Sequence, residues 1–303
     1  MDEQSLLQLI QRHAVRSAPS WLRLGIGDDC AIIRPSGACQ DWLLTTDMVL
    51  EDRHFRLSTH PARAVGHRTL ARGLSDIAAM GGEPRLALLS MCAGSGTDAG
   101  WLDRFFRGFH RLAAATGTVL VGGDMARSDK FGCDIVVAGV VPPGKALRRD
   151  GARPGDRIFV SGRLGGSALG LRTMRGAAWK VHLYPQPRLR LGRFLRERLK
   201  ATAAMDLSDG LSIDLYRLCL ASGVAAELDQ DPPTFRGASL EDALHGGEDY
   251  ELLFTLSPRT RPPASFQGLE LTCIGTIREG EPGLVLFKGR RLAPGGWDHF
   301  RRR

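Results

Sequence analysis

Acidic residues follow short apolar runs at six places along this chain, and few folds can accommodate such a series. The first is LGIGDDCAII at 24–33, where Gly25 and Gly27 precede Asp28 and Asp29. Glycine accepts the backbone angles of a tight turn, so both carboxylates should stand at the mouth of a strand. The arrangement recurs as LLTTD (43–47), LSD (74–76), VLVGGD (119–124), MDLSD (205–209) and HGGED (245–249). Aspartate favours turns and helix caps in any protein, which would explain one such site but explains the whole series poorly.

Length and composition indicate a globular protein with a sizeable core. The 303 residues are 43% hydrophobic and 24% charged, and the length suits two ordinary domains. No apolar run approaches the roughly 20 residues of a membrane helix, and the N-terminus lacks a cleavable secretory pattern. The six cysteines form no C-x-x-C pair and lie mostly among apolar residues. We therefore expect a cytoplasmic protein with reduced cysteines and no membrane partner.

The net charge of +8 raises the question of nucleic-acid binding. The positive charge is dispersed, apart from residues 188–200 and the RRR terminus. In 188–200 the leucines and Phe194 share one helical face, so the arginines should form a solvated outer face. Neither zinc-finger spacing nor an aromatic RNA-binding pattern accompanies them, so we expect no nucleic-acid partner. The basic surface would instead attract anionic small molecules.

Apolar spacing predicts helices and strands that follow one another without a regular strand–helix–strand rhythm. Helices are expected over 1–16, 61–80, 98–116, after Gly166, over 187–200 and from Ser208. Strands are expected at 29–33, 42–46, 85–91, 118–122, 133–141, 157–161, 250–256, 271–277 and 284–287. Residues 142–144, Pro-Pro-Gly, are the best linker candidate and divide the chain into domains 1–142 and 143–303. The fold class is therefore α+β or mixed α/β.

The acidic turns favour a site for hard metal ions that hold phosphate. Aspartate and threonine oxygens suit Mg²⁺, and no H-E-x-x-H or C-x-x-C spacing suggests zinc. Because Mg²⁺ usually takes one or two carboxylates plus substrate phosphates, a larger carboxylate cluster indicates several ions around a polyphosphate. Like charges ~4 Å apart cost roughly 4 kcal/mol at an effective dielectric of 20, so bare carboxylates would expel a nucleotide. The acidic turns and a phosphate ligand are compatible only through the metal.

The widespread nucleotide-binding motifs are absent. The chain has no G-x-x-x-x-G-K-[ST], no protein-kinase motif set and no G-x-G-x-x-G followed by a ribose-binding acid. Another phosphate cradle is therefore needed. Ser208 and Asp209 are expected to open a helix whose free N–H groups face an anion. Arg149 is a candidate for a bidentate phosphate clamp, although an exposed surface arginine explains it equally well.

Eight motifs, in order from residue 25 to residue 300, resemble those of the thiamine-monophosphate kinases. They are GIGDDCA (25–31), TTD (45–47), HF (54–55), LSDIAAMGG (74–82), GGD (122–124), MDLSDGL (205–211), GGEDYEL (246–252) and GWDHF (296–300). The resemblance implies a member of the aminoimidazole-ribonucleotide synthetase superfamily that phosphorylates thiamine monophosphate to the diphosphate. It also implies a two-domain fold, with an N-terminal sheet that pairs in a homodimer and an α/β C-terminal domain. ATP and several Mg²⁺ ions would lie in the cleft between the domains.

The resemblance also assigns residues by matching position. The implied metal ligands are Asp29, Thr45, Thr46, Asp47, Asp76, Asp124, Asp206 and Asp209. The implied ATP contacts are Gly123, Asp124, Arg149 and Ser208, and the implied thiamine-phosphate contacts are His54, Glu248 and Trp297. A cationic thiazolium suits an aromatic face and a carboxylate. Taken alone, Trp297 would be read as a partly buried packing residue. For His54 we favour a donor that holds the acceptor phosphate over a nucleophile that takes the phosphoryl group, and a partly buried ring beside Phe55 is a further alternative.

The implied reaction needs no covalent nucleophile. The acceptor phosphate is already ionised at neutral pH, so transfer should be direct and in line, with positioning and charge neutralisation supplying the catalysis. Two departures from the family pattern remove polar side chains near proposed ligands. Gly73 stands where asparagine is frequent and Met125 where threonine is frequent. Both departures affect side chains that would hydrogen-bond to metal ligands, and therefore bear on the affinity for the metal.

Two alternatives stay open. One is another ATP-using member of the superfamily, such as a selenophosphate or aminoimidazole-ribonucleotide synthetase. A selenophosphate synthetase should carry a reactive cysteine and lysine near its N-terminus, and residues 1–24 contain neither. The other is a basic binding protein whose acidic loops are only structural. Magnesium-dependent nucleotide binding would separate the two classes.

Overall fold

The computed structural model describes residues 9–10, 19–94 and 96–297, which form two sheets with helices packed on them. The predicted helix over 1–16 lies outside the described residues, except for residues 9 and 10, which are helical. The first sheet has the order β1-β2-β3-β6-β4-β5, and only β4 and β5 run parallel. Its strands are β1 (Leu22–Leu24), β2 (Ala31–Ile33), β3 (Asp41–Leu50), β4 (Glu83–Ala93), β5 (Val119–Arg127) and β6 (Gly132–Val141).

Two long helices cover one face of this sheet. They are α1 (Ala62–Ala79), which follows Pro61, and α2 (Ala99–Thr116), which Asp98 caps by accepting from Trp101 N at 2.7 Å. The helices cross at glycines because there is no room for a side chain. A Cβ at Gly66 would lie 2.0 Å from the Phe105 carbonyl oxygen. Nearly all of α1 is therefore buried between α2 and the sheet.

The second sheet has the order β14-β13-β9-β12-β7-β10-β8, with β11 beside β12. Its strands are β7 (Arg157–Ser161), β8 (Ala203–Asp206), β9 (Ala225–Leu228), β10 (Leu252–Leu256), β11 (Ser265–Phe266), β12 (Leu269–Arg278), β13 (Val285–Phe287) and β14 (Arg290–Arg291). The helices of this half are α3 (Gly166–Thr173), α4 (Gly176–Leu183), α5 (Leu189–Phe194), α6 (Leu211–Ser222) and α7 (Leu240–His245). A π-helical turn, Leu195–Leu199, continues α5. No described helix is long and apolar enough to cross a membrane.

A shared core joins the two halves where α5 meets the last turn of α1. Leu191 and Leu195 pack with Ala78 and with residues of the second sheet. Arg196 contradicts the prediction that the arginines of 188–200 form a solvated face. Its side chain is buried and Nε donates to the Gly81 carbonyl at 2.8 Å, because this segment faces α1 rather than solvent.

The mixed α/β fold class is confirmed. The first sheet ends at Val141 and the second begins at Arg157. The division into domains 1–142 and 143–303 stays a prediction.

Candidate active site

A cavity of about 830 Å³ opens between the two halves of the molecule. The loop after β3 and helix α1 line it from one half, and α3, the loop after β8 and the segment before β10 line it from the other. Eight residues singled out from the sequence line this cavity: Asp47, His54, Asp76, Asp206, Ser208, Asp209, Glu248 and Trp297. The two halves therefore build the site together.

Three carboxylates come together at the site. Asp29, Asp76 and Asp206 each offer one oxygen, and these oxygens lie within 4.8 Å of one another. The three residues are called the acidic triad below. Thr45 Oγ1 donates to Asp76 Oδ2, and Ser75 Oγ donates to Asp206 Oδ2 at 2.6 Å. Two hydroxyl groups thus fix the orientation of two triad carboxylates.

The acidic triad carries more negative charge than its neighbours neutralise. Burial raises the pKa of Asp29 to about 6. The nearby charge of Arg149 lowers this pKa and that of Asp206 raises it, but burial is the largest cause. Burial likewise raises the pKa of Asp206 to about 7 and that of Asp76 well above its usual range. Asp29 Oδ2 is buried without a hydrogen-bond partner. Crowded carboxylates with an unmet oxygen have the chemistry of a site for a hard divalent cation.

Arg149 contacts the acidic side of the site. Its guanidinium donates to Asp29 Oδ1, and its backbone N–H donates to Asp28 Oδ2 at 3.1 Å. In this arrangement the guanidinium of Arg149 forms ion pairs with Asp28 and Asp29. Its role as a phosphate clamp stays a prediction.

Thr46, Gly123 and Asp124 are not brought to the cavity. Side chains alternate along β3, so Thr45 and Asp47 point towards α1, and Thr46 points to the opposite face, where its Oγ1 donates to Asp134 at 2.6 Å. Asp124 pairs in register with Ser90, and Ser90 with Asp134, which places Asp124 on that same open face. A Cβ at Gly123 would lie 1.8 Å from the Leu89 carbonyl oxygen, so glycine is needed for strand pairing. The implied roles of these three residues stay predictions.

Glu248 lines the cavity in a left-handed backbone conformation. Its φ is 64°, and its N–H donates to the Ser208 carbonyl at 2.7 Å. Arg68 Nη2 donates to Oε1 at 2.6 Å, and Arg72 Nη1 lies 3.5 Å from the same oxygen. Burial opposes ionisation of Glu248, but Arg68, with His182 and Arg72, outweighs it and lowers the pKa to about 2. This part of the cavity therefore keeps a charged carboxylate.

An imidazole and an indole complete the lining. The Leu50 N–H donates to His54 Nδ1 at 3.0 Å, so a neutral His54 ring carries its proton on Nε2. Trp297 is half-buried, and its backbone N–H donates to the Asp209 backbone carbonyl at 3.1 Å. The remaining residues of the GWDHF motif, 298–300, lie outside the described residues.

Comparison with known proteins identifies the family. Residues 27–141 match the AIR synthase related protein, N-terminal domain. Thiamine-monophosphate kinase of Escherichia coli (strain K12) is 35% identical over 320 aligned positions, with 94% of each chain covered. The chain belongs to the thiamine-monophosphate kinase family. The predicted family is thereby confirmed, and with it the prediction of a thiamine-phosphate kinase rather than a binding protein.

Solved structures of the family have the same fold. AaThiL complexed with AMPPCP and TMP superposes with a TM-score of 0.87 at 33% identity, covering 99% of this chain and 97% of that chain. Thiamine-monophosphate kinase from Stenotrophomonas maltophilia K279a gives 0.77 at 34% identity, covering 96% and 98%.

Two sequence predictions about this kinase are wrong. Three of the expected acidic turns are not turns, because Asp47 and Asp124 lie inside β3 and β5 and Asp76 lies inside α1. The second is a helix start. The helix expected to open at Ser208 begins at Leu211, and Asp214 Oδ2 accepts from the N–H groups of Asp209 at 3.1 Å and Gly210 at 3.0 Å. A buried carboxylate on α6 thus takes the amides that were expected to face a phosphate. Ser208 still lines the cavity, one turn earlier in the chain than the helix.

The sequence reasoning missed Arg68, Arg72 and Ser75 on helix α1. They lie at positions i, i+4 and i+7, on the side of α1 that contacts Glu248, Asp47 and Asp206. The spacing was readable, because two arginines one turn apart interrupt an otherwise apolar helix just before LSD. What the spacing does not give is the identity of their distant partners.

Proposed function

We propose that this kinase transfers the γ-phosphoryl group of ATP to thiamine monophosphate, with Mg²⁺, to give thiamine diphosphate. The observation that carries the proposal is one cavity lined both by Asp76 and Asp206 of the acidic triad and by the ionised Glu248. The triad suits a metal-held polyphosphate, and the aromatic face of Trp297 suits a cationic thiazolium, while Glu248 offers a hydrogen-bond acceptor to the rest of the substrate. The complex of AaThiL with AMPPCP, a methylene analogue of ATP, and TMP supports both substrates.

Several Mg²⁺ ions would be held by the acidic triad together with Asp47 and Asp209, which line the same cavity, while Thr45 donates to Asp76. When bound, the ions would neutralise the carboxylates and the phosphates of both substrates. The unmet oxygen of Asp29 and the raised pKa values of the triad support this assignment. Burial also raises the pKa of Asp47, despite the Arg72 side chain 3.3 Å away, which fits a carboxylate that awaits a cation.

The chain's own residues would act by positioning. Arg68 and Arg72 fix Glu248, and His54, which lines the same cavity, would donate through Nε2–H to the acceptor phosphate. Because the acceptor oxygen is already ionised, no general base is required and the transfer is direct and in line. A phosphohistidine at His54 is not needed.

We further propose that the kinase is a homodimer paired through the open face of the first sheet, as the family resemblance implies. Exposed apolar side chains on that face include Met48 on β3, Leu88 on β4 and Val119 on β5. A cytoplasmic location would agree with six cysteines that are all unpaired. Light scattering should give twice the mass of 33.0 kDa, and a Leu88→Glu variant should give a monomer.

The assay that tests the activity is ADP release across a small set of acceptors, with and without Mg²⁺. Thiamine monophosphate with Mg²⁺ should support release, whereas free thiamine should be a poor acceptor because it lacks the phosphate that the metals hold. Formylglycinamidine ribonucleotide, the acceptor of a sister enzyme in the superfamily, should be inert. Comparable turnover with that ribonucleotide, or none with thiamine monophosphate, would overturn the proposal.

A further inference from the structure

Two histidines, one from each half of the molecule, form a buried pair at the wall of the cavity, which His60 lines. His60 lies in the loop after β3 and His182 on α4, and their Nε2 atoms are 3.2 Å apart. The two residues are only 3% and 1% exposed. The ring of Trp179 stacks on His182 with centroids 5.0 Å apart. No role proposed above uses this pair.

The hydrogen bonds of the pair have a defined direction. The Arg56 backbone N–H, which can only donate, points at His60 Nδ1 from 3.2 Å. A neutral His60 therefore carries its proton on Nε2 and donates to His182 Nε2. His182 must then carry its proton on Nδ1, which donates to Ser167 Oγ at 2.8 Å. Burial, with the charge of Arg68, lowers the pKa of His60 to about 4 and that of His182 to about 3, so both rings are neutral at pH 7.

The chain of hydrogen bonds ends at a hydroxyl group in the cavity wall. Ser167 lies in the first turn of α3, where its N–H donates to Asp249 Oδ1 at 3.1 Å. Because Ser167 Oγ accepts from His182, its own proton is directed away from the histidine, and Ser167 lines the cavity. Glu248 Oε2 lies 3.7 Å from the same His182 Nδ1, while Arg68 holds Oε1. A hydroxyl donor therefore stands beside a carboxylate acceptor.

We propose that Ser167 and Glu248 together recognise a ring edge that carries an amino group next to an unprotonated ring nitrogen, with Ser167 as the specificity-determining residue. The proposal rests on the proposed function, since thiamine monophosphate carries such an edge on its aminopyrimidine. The amino N–H donates to Glu248 Oε2, and the ring nitrogen accepts from the Ser167 hydroxyl. Leu171 and Met174, 45% and 40% exposed, line the same cavity and supply an apolar flank for the ring.

This donor–acceptor order predicts which acceptors are rejected. Oxythiamine monophosphate has a carbonyl oxygen in place of the amino group and an N–H in place of the ring nitrogen. It would present an acceptor to Glu248 and a donor to Ser167, so both hydrogen bonds would be lost. A site built around polar partners discriminates strongly against such an analogue, and we expect a preference of roughly 100-fold or more in kcat/KM.

The kinetic test compares Ser167→Ala with the wild type and with Ser257→Ala, a control outside the cavity lining. Removing the Ser167 hydroxyl should raise KM for thiamine monophosphate roughly tenfold, the size of one neutral hydrogen bond. It should leave kcat and the KM for ATP within about twofold, and shrink the preference over oxythiamine monophosphate by roughly the same factor of ten. An unchanged preference in a folded Ser167→Ala protein would overturn the proposal.

A second test uses the protein without substrate. Long-range ¹H–¹⁵N spectra of histidine-labelled protein at pH 7 should show His60 protonated on Nε2 and His182 protonated on Nδ1. A proton on Nε2 of His182 would overturn the proposal, whatever the activity. If the wild type does not turn over thiamine monophosphate, the proposed function fails, and calorimetry then decides the inference. Equal affinities of the wild type for thiamine monophosphate and oxythiamine monophosphate would overturn the inference. A preference for thiamine monophosphate that Ser167→Ala removes would support it.

Discussion

Replacing Asp206 by asparagine should stabilise the metal-free protein. Asp206 is 3% exposed, and this burial raises its pKa from 3.8 to about 7. The hydrogen bond from Ser75 lowers the pKa, and the negative charges of Asp214 and Asp47 raise it. A shift of about three units corresponds to roughly 4 kcal/mol against the ionised native state at pH 8. Asparagine has the same shape, keeps an acceptor for Ser75 and carries no charge.

The expected change in melting temperature follows from the size of the chain. Relaxation around the site should halve the free-energy gain to about 2 kcal/mol. At about 2.1 cal/mol/K per residue, a chain of 303 residues unfolds with an entropy of about 0.6 kcal/mol/K. The Asp206→Asn protein should therefore melt about 3 °C higher than the wild type in EDTA at pH 8.

The advantage should depend on pH in a defined direction. The native state keeps the Asp206 proton up to about pH 7, whereas the unfolded chain loses it near 3.8. The wild-type free energy of unfolding therefore falls as pH rises from about 4 to about 7. The variant lacks this titration, so its advantage should be full above pH 7 and absent near pH 4.

Magnesium and a matched variant complete the test. Mg²⁺ should raise the melting temperature of the wild type far more than that of Asp206→Asn, and so reverse their order. Asp41→Asn is the control, because Arg34 and the Gly144 N–H stabilise the Asp41 carboxylate and lower its pKa. That variant should be less stable with or without Mg²⁺. Asp206→Asn melting below the wild type in EDTA at pH 8 would refute the like-charge reasoning.

Three further outcomes are expected. Asp47→Asn should keep the fold, judged by circular dichroism, and lower kcat/KM at least about 100-fold; unchanged activity with a lower melting temperature would favour a purely structural role for the contact between Asp47 and Arg72. Enzyme incubated with γ-labelled ATP and Mg²⁺ but no acceptor should carry no acid-labile label, and His54→Asn should raise KM for thiamine monophosphate more than for ATP. A phosphohistidine that chases into thiamine diphosphate would contradict direct transfer. Because burial lowers the pKa values of His60 and His182, urea unfolding should show stability falling from pH 6.5 to pH 5 by up to about 2 kcal/mol per histidine, and a flat profile would count against two neutral rings.

Local sequence patterns predicted the parts of the site that depend on strand ends. The position of Asp206 at the end of β8 follows from turn chemistry, since an acidic residue ends the apolar run. Asp76 lies within the helix predicted over 61–80. The side to which Thr46 points was also readable, because neighbours on a strand face opposite ways. The family pattern groups Thr45, Thr46 and Asp47 as one motif and hides that alternation.

Other features depend on contacts that no local pattern encodes. Arg68 and Glu248 are 180 residues apart in sequence, and the two histidines of the buried pair are 122 apart. The strands β8 and β9 and the helices α4 and α7 were missed because each is too short to establish a period. Gly73, noted in the sequence as a departure, packs against β6, where a Cβ would lie 2.6 Å from Val137 Cγ2. Its place is decided by packing, which the sequence alone does not show.

Helix α1 carries groups that belong to both parts of the proposed site. Arg68 holds Glu248, and Asp76 belongs to the acidic triad eight residues later, about 12 Å along the axis at 1.5 Å per residue. If the acceptor ring binds at Glu248 and the metals bind at the acidic triad, as proposed above, this one buried helix sets the span between the ring and the transferred phosphoryl group. The site would therefore discriminate between acceptors by the distance between their ring and their phosphate. An acceptor with one more methylene between ring and phosphate would fit the cavity volume and still carry its phosphate past the metals, where a misplacement of about 1 Å costs roughly 100-fold in rate.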